Sequence, residues 1–567
     1  MSDREPPRPR RASLDDTPPE LTEIYRSGGH RSARHADPAD GSRGPLVEEL
    51  KPRAAKPRTL RRSLALTTAS AVLPGSGLLA APKRVHRTLG AMVVTLVLTL
   101  TIATVIWANM ALSDLAGIAV NPRQLTILSA GVVAVALGWV ALITGTHLVT
   151  RPGGMTAGRR AVGALLVTAL SFVVSAPLAV AARYAYDQRE LLETVFADED
   201  DVNSGSRPTL DDGNDPWASI PRLNILILGG DSSDERTDLY GVRTDAIMVA
   251  SVDTATGETV LIQLPRNLQY TPFPEGSELD EAFPSGFTGD GDAANWYLNA
   301  VWPMIEGDYP SLLEEQTYRG AEALKLGVEG ITGLHMDYFV LVNMDGIQEL
   351  IDAMGGVTVN INQRLPIGGD TTGRQPSGYL EIGPDQRLNG YEAMWYGRSR
   401  KDDPNGDYGR MARQSCLVDA IIQQANPATL LTSYEAIAAA SADMIMTDIP
   451  QQVLDPLLTL ALRIKDASIS RVLFVDGQNG YSYAYPDFDT MHETVADAIE
   501  TSQEPDTPPT STPQETPAES TPEESATDQP PAEEPSSEPS PSHEIFVDGA
   551  QSVNDACAYH PVESDDE

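Results

Sequence analysis

The chain is poor in cysteine, in aromatics and, over most of its length, in positive charge. Two cysteines in 567 residues, Cys416 and Cys557, exclude a disulfide-stapled miniature fold, and neither has the spacing of a metal-binding pair. Cys416 falls in a helical-looking run, so its default role is that of a small buried hydrophobe; a bond between the two is permitted outside the cell. Basic residues number 41 against 80 acidic ones, a formal net charge of −39. The imbalance is uneven: residues 1–184 hold 22 bases and 11 acids, residues 185–567 hold 19 and 69. So acidic a second part lacks the phosphate-neutralising surface that a nucleic-acid partner needs. Its charge serves solubility. No internal repeat points to a solenoid or propeller.

Long apolar runs occur in one region only. Leu89–Leu112, Leu125–Val149 and Ala161–Ala182 contain no Asp, Glu, Lys or Arg, and each reaches the roughly 20 residues that cross a bilayer core. An earlier stretch, Ser63–Ala81, is broken by Pro74-Gly75-Ser76-Gly77 and reads as an interfacial or re-entrant piece of a membrane region spanning 63–184. Lys83, Arg84 and Arg87 precede the first span, Arg151, Arg159 and Arg160 separate the second from the third, and only Arg123 lies between the first two. The positive-inside rule then puts the N-terminus in the cytoplasm and everything after Ala182 outside. A cleaved signal peptide is not expected, because the first long apolar run starts too late. Residues 1–62, rich in Arg, Pro and Ser, read as a disordered cytoplasmic tail. Residues 185–221 read as an acidic tether, 501–543 as a Pro/Ser/Thr/Glu-rich spacer, and 544–567 as a short acidic tail.

Between tether and spacer, about 222–500, short apolar runs of strand length alternate with helical patterns. Leu223–Leu228, Ala246–Val252, Thr259–Leu264, Tyr338–Val342 and Val357–Ile361 read as strands. Stretches near 315–329, 390–396, 408–425 and 450–464 read as helices. The near-continuous hydrophobicity of the first strands argues for cover on both faces, so an α/β layered domain is expected.

Polar residues cluster where these elements end. Gly229-Gly230-Asp231 follows the first strand, Arg243-Thr244-Asp245 enters the second and Pro265-Arg266-Asn267 leaves the third. A fourth cluster, WYGRSRKDDPNGDYGRMARQ at 395–414, concentrates Arg398, Arg400, Lys401, Arg410 and Arg413. Arg398 and Arg400, two apart, share a side if the segment is extended. Arg410, Arg413 and Gln414 share a helix face, with Asn405 and Asp407 where a cap belongs. Together they make a cradle for an anion, since guanidinium forks bind phosphate oxygens bidentately and stay charged. In isolation, a salt-bridged surface with Asp402, Asp403 and Asp407 is the better account of the same stretch. Scarcity weighs against that: of 14 Lys and Arg between Arg222 and Ala425, seven fall in these clusters. Asp231 and Asp245 suit a hard cation such as Mg²⁺, which is commonly held by carboxylates together with substrate phosphates.

In this order the motifs NILILGGD (224–231), VRTDAIMVASVD (242–253), LIQLPRN (261–267), YFVLVNMDGIQELIDAMGGVTVNI (338–361), LNGYEAMWYGRSR (388–400) and GDYGRMARQ (406–414) resemble the LytR-CpsA-Psr family of cell-envelope proteins. The resemblance implies an α/β/α sandwich behind a membrane anchor, with a polyprenyl-pyrophosphate chain in an apolar tunnel. It also implies transfer of the attached glycopolymer to a hydroxyl of peptidoglycan, with Mg²⁺ on the pyrophosphate. The implied site is Asp231, Asp245, Arg243, Arg266, Arg398, Arg400, Asp407, Arg410 and Gln414. Three departures stand out. Asn267 replaces the family's usual Asp, Tyr297-Leu298-Asn299 lacks a customary lysine, and the loop 231–245 is long. A pyrophosphatase using water in place of the wall hydroxyl, or a non-enzymatic sensor or scaffold for lipid-linked polymers, would use the same clamp.

Overall fold

A computed structural model describes residues 59–560 apart from 111–116, 212–214, 231–242, 370–373, 402, 426–444, 484 and 504–545. Most of the N-terminal tail and of the 501–543 spacer therefore lies outside the described residues. Helix α1 (Leu60–Val72) is followed by a glycine turn, Gly75 at φ +83°, and a single 3₁₀ stretch over Ser76–Ala80. Helices α2 (Arg84–Met110), α3 (Pro122–Thr150) and α4 (Ala157–Val195) are long and apolar enough to cross a membrane. Small polar residues join α1 to α3: Ser63 to Thr150 at 2.9 Å and Ser70 to Thr146 at 3.0 Å. Such bonds suit helix packing in lipid, where an unpaired hydroxyl is costly.

The segment after α4 is not a solvated tether. Val202 and Trp217 are buried, and Ser204 and Ser206 meet the ammonium of Lys325. That lysine is buried with Asp448 at 2.7 Å and Glu322 at 2.8 Å, a fully partnered charge cluster that would be costly if any member were lost. Nearby His335 has acceptors on both ring nitrogens, Glu329 Oε2 at 3.1 Å and Ser206 O at 2.9 Å. Only the doubly protonated ring donates to both. The bond to Glu329, against burial and with help from Ser206, raises its pKa from 6.5 to about 9. A raised folded-state pKa stabilises the protein fully below the unfolded value and is lost as pH climbs through the folded one. Thermal unfolding of the full chain should therefore show stability falling between pH 6.5 and about 9, and His335→Gln should remove that slope. Asp337, pushed up to about 6 by burial, titrates below this window, so the two are separable.

Among the described residues the central sheet has seven strands, in the order β11-β10-β3-β2-β1-β4-β9. They are β1 (Arg222–Gly230), β2 (Thr244–Asp253), β3 (Thr259–Leu264), β4 (Tyr338–Asn343), β9 (Ile445–Thr447), β10 (Ile469–Leu473) and β11 (Gln551–Ser552). β2 runs antiparallel to both β1 and β3, whereas β4 is parallel to β1 and β10 to β3. Alternation along β1 sends Leu226 and Leu228 to one face, under α5 (Val301–Gly307), α6 (Arg319–Thr332) and α11 (Phe488–Ser502). Leu223 faces the other core, shared with the ends of α3 and α4 and with α10 (Leu454–Asp466). The result is the expected α/β/α layering. Val357–Ile361 does form a strand, β5, but outside this sheet: it pairs with β8 (Gly383–Leu388), beside the hairpin of β6 (Leu365–Ile367) and β7 (Gly378–Leu380). Over that platform lie α7 (Met344–Ala353), α8 (Gly390–Arg398) and α9 (Gly406–Gln424).

Residues 546–560 also belong to the fold. β11 pairs Gln551 with Arg471 and Ser552 with Ser470, and Cys557 is disulfide-bonded to Cys416 of α9. Asn360 and Asn362 donate to the carbonyls of Cys557 and Ala558 at 2.9 and 3.0 Å. Cys416 is thus a cross-link and not a lone hydrophobe, and residues up to 560 are an edge strand and a staple, not a loose tail.

Candidate active site

One end of the sheet gathers the polar clusters. Register places Gly230 of β1 opposite Thr244 of β2, after an irregularity at Gly229/Gly230, and opposite Asn343 of β4. Leu264 pairs with Ile247, so β3 delivers Arg266 to the same edge. Such irregularities re-aim side chains at sheet rims. The carboxyl end of a strand in an α/β sheet is the usual position for a ligand.

Helices α8 and α9 close this edge. α8 starts at a capping box, Asn389 with Glu392, and its last residue is Arg398. Arg398-Ser399-Arg400 is therefore not the extended pair assumed from spacing: Ser399 caps the helix, and the two arginines diverge. Arg398 lies against Met344 Sδ and over the Trp395 ring, 5.9 Å from its centroid. Arg400 turns to Asp407 at 3.3 Å.

Asp407 is the hub. It sits in the first turn of α9, whose N-cap is Asn405, so it caps nothing. Its Oδ1 accepts from Arg410 Nε at 3.1 Å, and its Oδ2 accepts from Arg410 Nη2 at 3.0 Å. Arg266 Nε stands 3.7 Å from the same Oδ2. Arg266 also pairs with Asp245 through Nη1, and Arg410 donates to the Asp245 carbonyl at 2.8 Å. Three guanidiniums thus converge on two carboxylates, a constellation with net positive charge. Burial alone would raise the Asp407 pKa; Arg410, then Arg266 and Arg400, outweigh it and hold the carboxyl below its ordinary value. Arg243, immediately before β2, is exposed at the same edge. Asp231 lies outside the described residues.

Arg413 is turned away. Its Nε donates to Tyr396 O at 2.9 Å, Nη2 to Ser399 O, and Nη1 pairs with the buried Asp403 carboxylate at 2.5 Å. A Cβ on Gly409 would collide with that carboxylate. These bonds occupy its guanidinium in tying Tyr396, Ser399 and Asp403 together, away from its expected place in the anion cradle. Gln414 does reach the sheet: Gln263 Nε2 donates to its Oε1 at 2.8 Å, and its own amide donates to Gly397 O at 3.1 Å.

Sequence reasoning overlooked Gln263, although a lone amide inside the apolar run TVLIQL is a legible signal. Gln263 Oε1, Thr244 Oγ1 and Asn299 Oδ1 are buried polar atoms without a hydrogen-bond partner. Thr244 directly precedes Asp245 in the chain, Asn299 donates its N–H to Arg266 O at 3.0 Å, and Gln263, paired in register with Met248, touches Gln414. Unsatisfied buried acceptors are rare enough in native proteins to call for a ligand or solvent partner. For a divalent cation, Asp245 offers the right donor type, shared with phosphate oxygens. Among the described residues no group of three or more His, Cys, Asp or Glu side chains forms a self-sufficient metal site.

Comparison with known proteins gives these features a context. The LytR_cpsA_psr family model matches residues 196–502. The chain is similar to the Biofilm regulatory protein A of Streptococcus mutans, 27% identical over 238 residues, 42% of this chain and 52% of that protein. It is also similar to the polyisoprenyl-teichoic acid–peptidoglycan teichoic acid transferases TagU of Enterococcus faecalis and Bacillus licheniformis. The first is 28% identical over 40% of this chain and 61% of its own length, the second 25% over 51% and 79%. The chain thus spans little more than half the length of the first two relatives. Among solved structures, TagV of B. subtilis has 20% identity and a TM-score of 0.34, covering 50% of this chain and 96% of its own.

Proposed function

The chain belongs to the LytR_cpsA_psr family, and from that premise we propose that it is a membrane-anchored phosphotransferase. It moves a glycopolymer from a polyprenyl-pyrophosphate carrier onto a hydroxyl of peptidoglycan. The observation that carries the reading is the convergence of Arg266, Arg400 and Arg410 on Asp407 and Asp245, beside buried acceptors that lack partners. Phosphoryl transfer needs charge neutralisation and in-line positioning more than covalent help. Arg243 and Arg398, at the same edge, extend the clamp.

In the reaction a sugar hydroxyl of the wall attacks the polymer-proximal phosphorus. The new O–P bond forms as the bond to the bridging oxygen breaks, polyprenyl phosphate departs with the electron pair, and the hydroxyl proton is released. Asp407 orients that hydroxyl and accepts its proton. When a diphosphate draws Arg410, Arg266 and Arg400 toward its oxygens, the carboxylate loses the charges that hold its pKa down and becomes a better base. Gln414, anchored by Gln263, positions a phosphate oxygen or the hydroxyl. Asp245 with Asp231 would hold Mg²⁺, whose contribution is further neutralisation of the pyrophosphate. The anchor supports a cell-membrane location; the Lys and Arg bias of its loops favours a cytoplasmic N-terminus and an external catalytic domain.

The test is incubation of the full chain in detergent with a labelled polyprenyl-pyrophosphate oligosaccharide, with and without peptidoglycan strands. Label should become wall-bound only when strands are present. Release of sugar phosphate with no wall-bound label would instead identify a pyrophosphatase, and neither product would leave a binding scaffold.

A further inference from the structure

Beyond the arginines, the same edge opens onto a rim of tyrosines. β3 leaves the sheet through Arg266 and continues to Tyr270, which is 43% exposed and held at φ +58°. A bulky side chain in the left-handed region is strained, and such strain concentrates at functional sites. Leu298 and Asn299 donate to the carbonyls of Leu268 and Arg266 at 2.9 and 3.0 Å, which sets Tyr297 beside this stretch. The Tyr297 and Tyr483 hydroxyls are 2.6 Å apart, and their rings meet edge-on at 6.4 Å. Gln269 reaches the Tyr483 carbonyl at 3.4 Å.

Tyr483 is 39% exposed, yet its loop is rigidly built. Its N–H donates to Asp476 Oδ1 at 2.7 Å, and the loop turns through Asn479 at φ +53°, which is buried and bonded to Leu473 O at 2.8 Å. Holding exposed rings in place contributes little to the core, but it suits a ligand that presents apolar ring faces and hydroxyls together. Tyrosine offers a large rigid face with a wet polar tip at low entropic cost. The rim segments 267–270, 297–299 and 476–483 contain no Lys or Arg, and Asp476 is their only charge. An anionic polymer would find nothing there to neutralise it, whereas uncharged pyranose rings would find stacking faces and the amides of Asn267 and Gln269.

We propose that the rim of Tyr270, Tyr297 and Tyr483 is the acceptor subsite, gripping sugar rings of a wall glycan strand so that a hydroxyl reaches Asp407 while the arginines hold the anionic donor. The proposal rests on the transfer reading above and adds the half of the site that selects the acceptor.

The test is calorimetric titration of the full chain in detergent with soluble un-crosslinked peptidoglycan strands. Tyr270→Ala with Tyr483→Ala should weaken strand binding roughly tenfold or more. Tyr483→Phe keeps the ring and should bind within about threefold of wild type, whereas Tyr483→Leu, which keeps bulk without the aromatic face, should follow the alanines. Thermal unfolding of each variant identifies any that fails to fold, and the Phe–Leu contrast stands by itself if the double variant does. Equal affinity across the series, or displacement of strands from the rim by a soluble anionic polymer, overturns the proposal. Ring-dependent binding without any polymer transfer would overturn the transfer reading and uphold the rim; transfer with ring-independent binding would do the reverse.

Discussion

Replacing Arg410 with alanine should lower transfer of polymer to glycan strands by about 10²–10³-fold, the cost seen when one preorganised donor to developing charge is removed. The side chain is only 5% exposed, and it fastens α9 to β2: it grips both oxygens of Asp407 and the carbonyl of Asp245. Its loss removes the proposed phosphate ligand, a tie across the site and the foremost of the charges that hold the Asp407 pKa down. Arg410→Lys keeps the charge without the planar fork, so it should recover only a minor part of the rate. The pH profile carries a second signature. In the wild type, kcat/KM reports the free enzyme, so its acid limb should fall below the ordinary carboxylate range; in Arg410→Ala it should move upward. Steady-state transfer with labelled donor measures both, and circular dichroism of each variant guards against misfolding. A rate within tenfold of wild type would remove Arg410 from the clamp.

Breaking the Cys416–Cys557 bond should cost about 3–5 kcal/mol of stability. The chain-entropy account for a separation of 141 residues puts the upper end near 5 kcal/mol. The bond also holds what the edge strand cannot hold alone, since β11 contributes only two residue pairs. Docking of the tail supplies Gln551 Oε1 to the buried Arg471 at 3.1 Å, whose pKa burial lowers to about 10. Without the tail that guanidinium loses a dedicated acceptor, and α9 loses its staple next to Gln414. Cys557→Ser should unfold well below wild type in a thermal melt, and dithiothreitol should bring wild type down to the variant's midpoint. An unchanged midpoint once both thiols are shown to be free would dismiss the staple's role.

Much of this protein was legible before any fold was known, for reasons of periodicity. Runs such as LNILIL and TVLIQL can bury both faces only as central strands, and three charge-free helical stretches have no comfortable solvent except lipid. Glycines, acids and arginines at the ends of those strands marked one edge as the candidate site, since loops there must carry whatever the core cannot. The individual pairings were not legible. Arg410 and Arg413 are three residues apart on one helix, yet one faces Asp245 across the sheet edge and the other is spent on Asp403 and the carbonyl of Tyr396.

By itself, then, the sequence determined three helices long and apolar enough to cross a membrane, the layered α/β domain and the edge where positive charge gathers, because these follow from local spacing and hydrophobic pattern. Only the tertiary structure decided that Asp407 is a hub and not a cap, that the described residues of 196–221 and of 546–560 are built into the domain, and that Cys416 is stapled. Each of these depends on contacts between segments from tens of residues to well over a hundred residues apart. No periodicity records such contacts, because which groups meet is set by how the layers pack and where buried charge must find its partner.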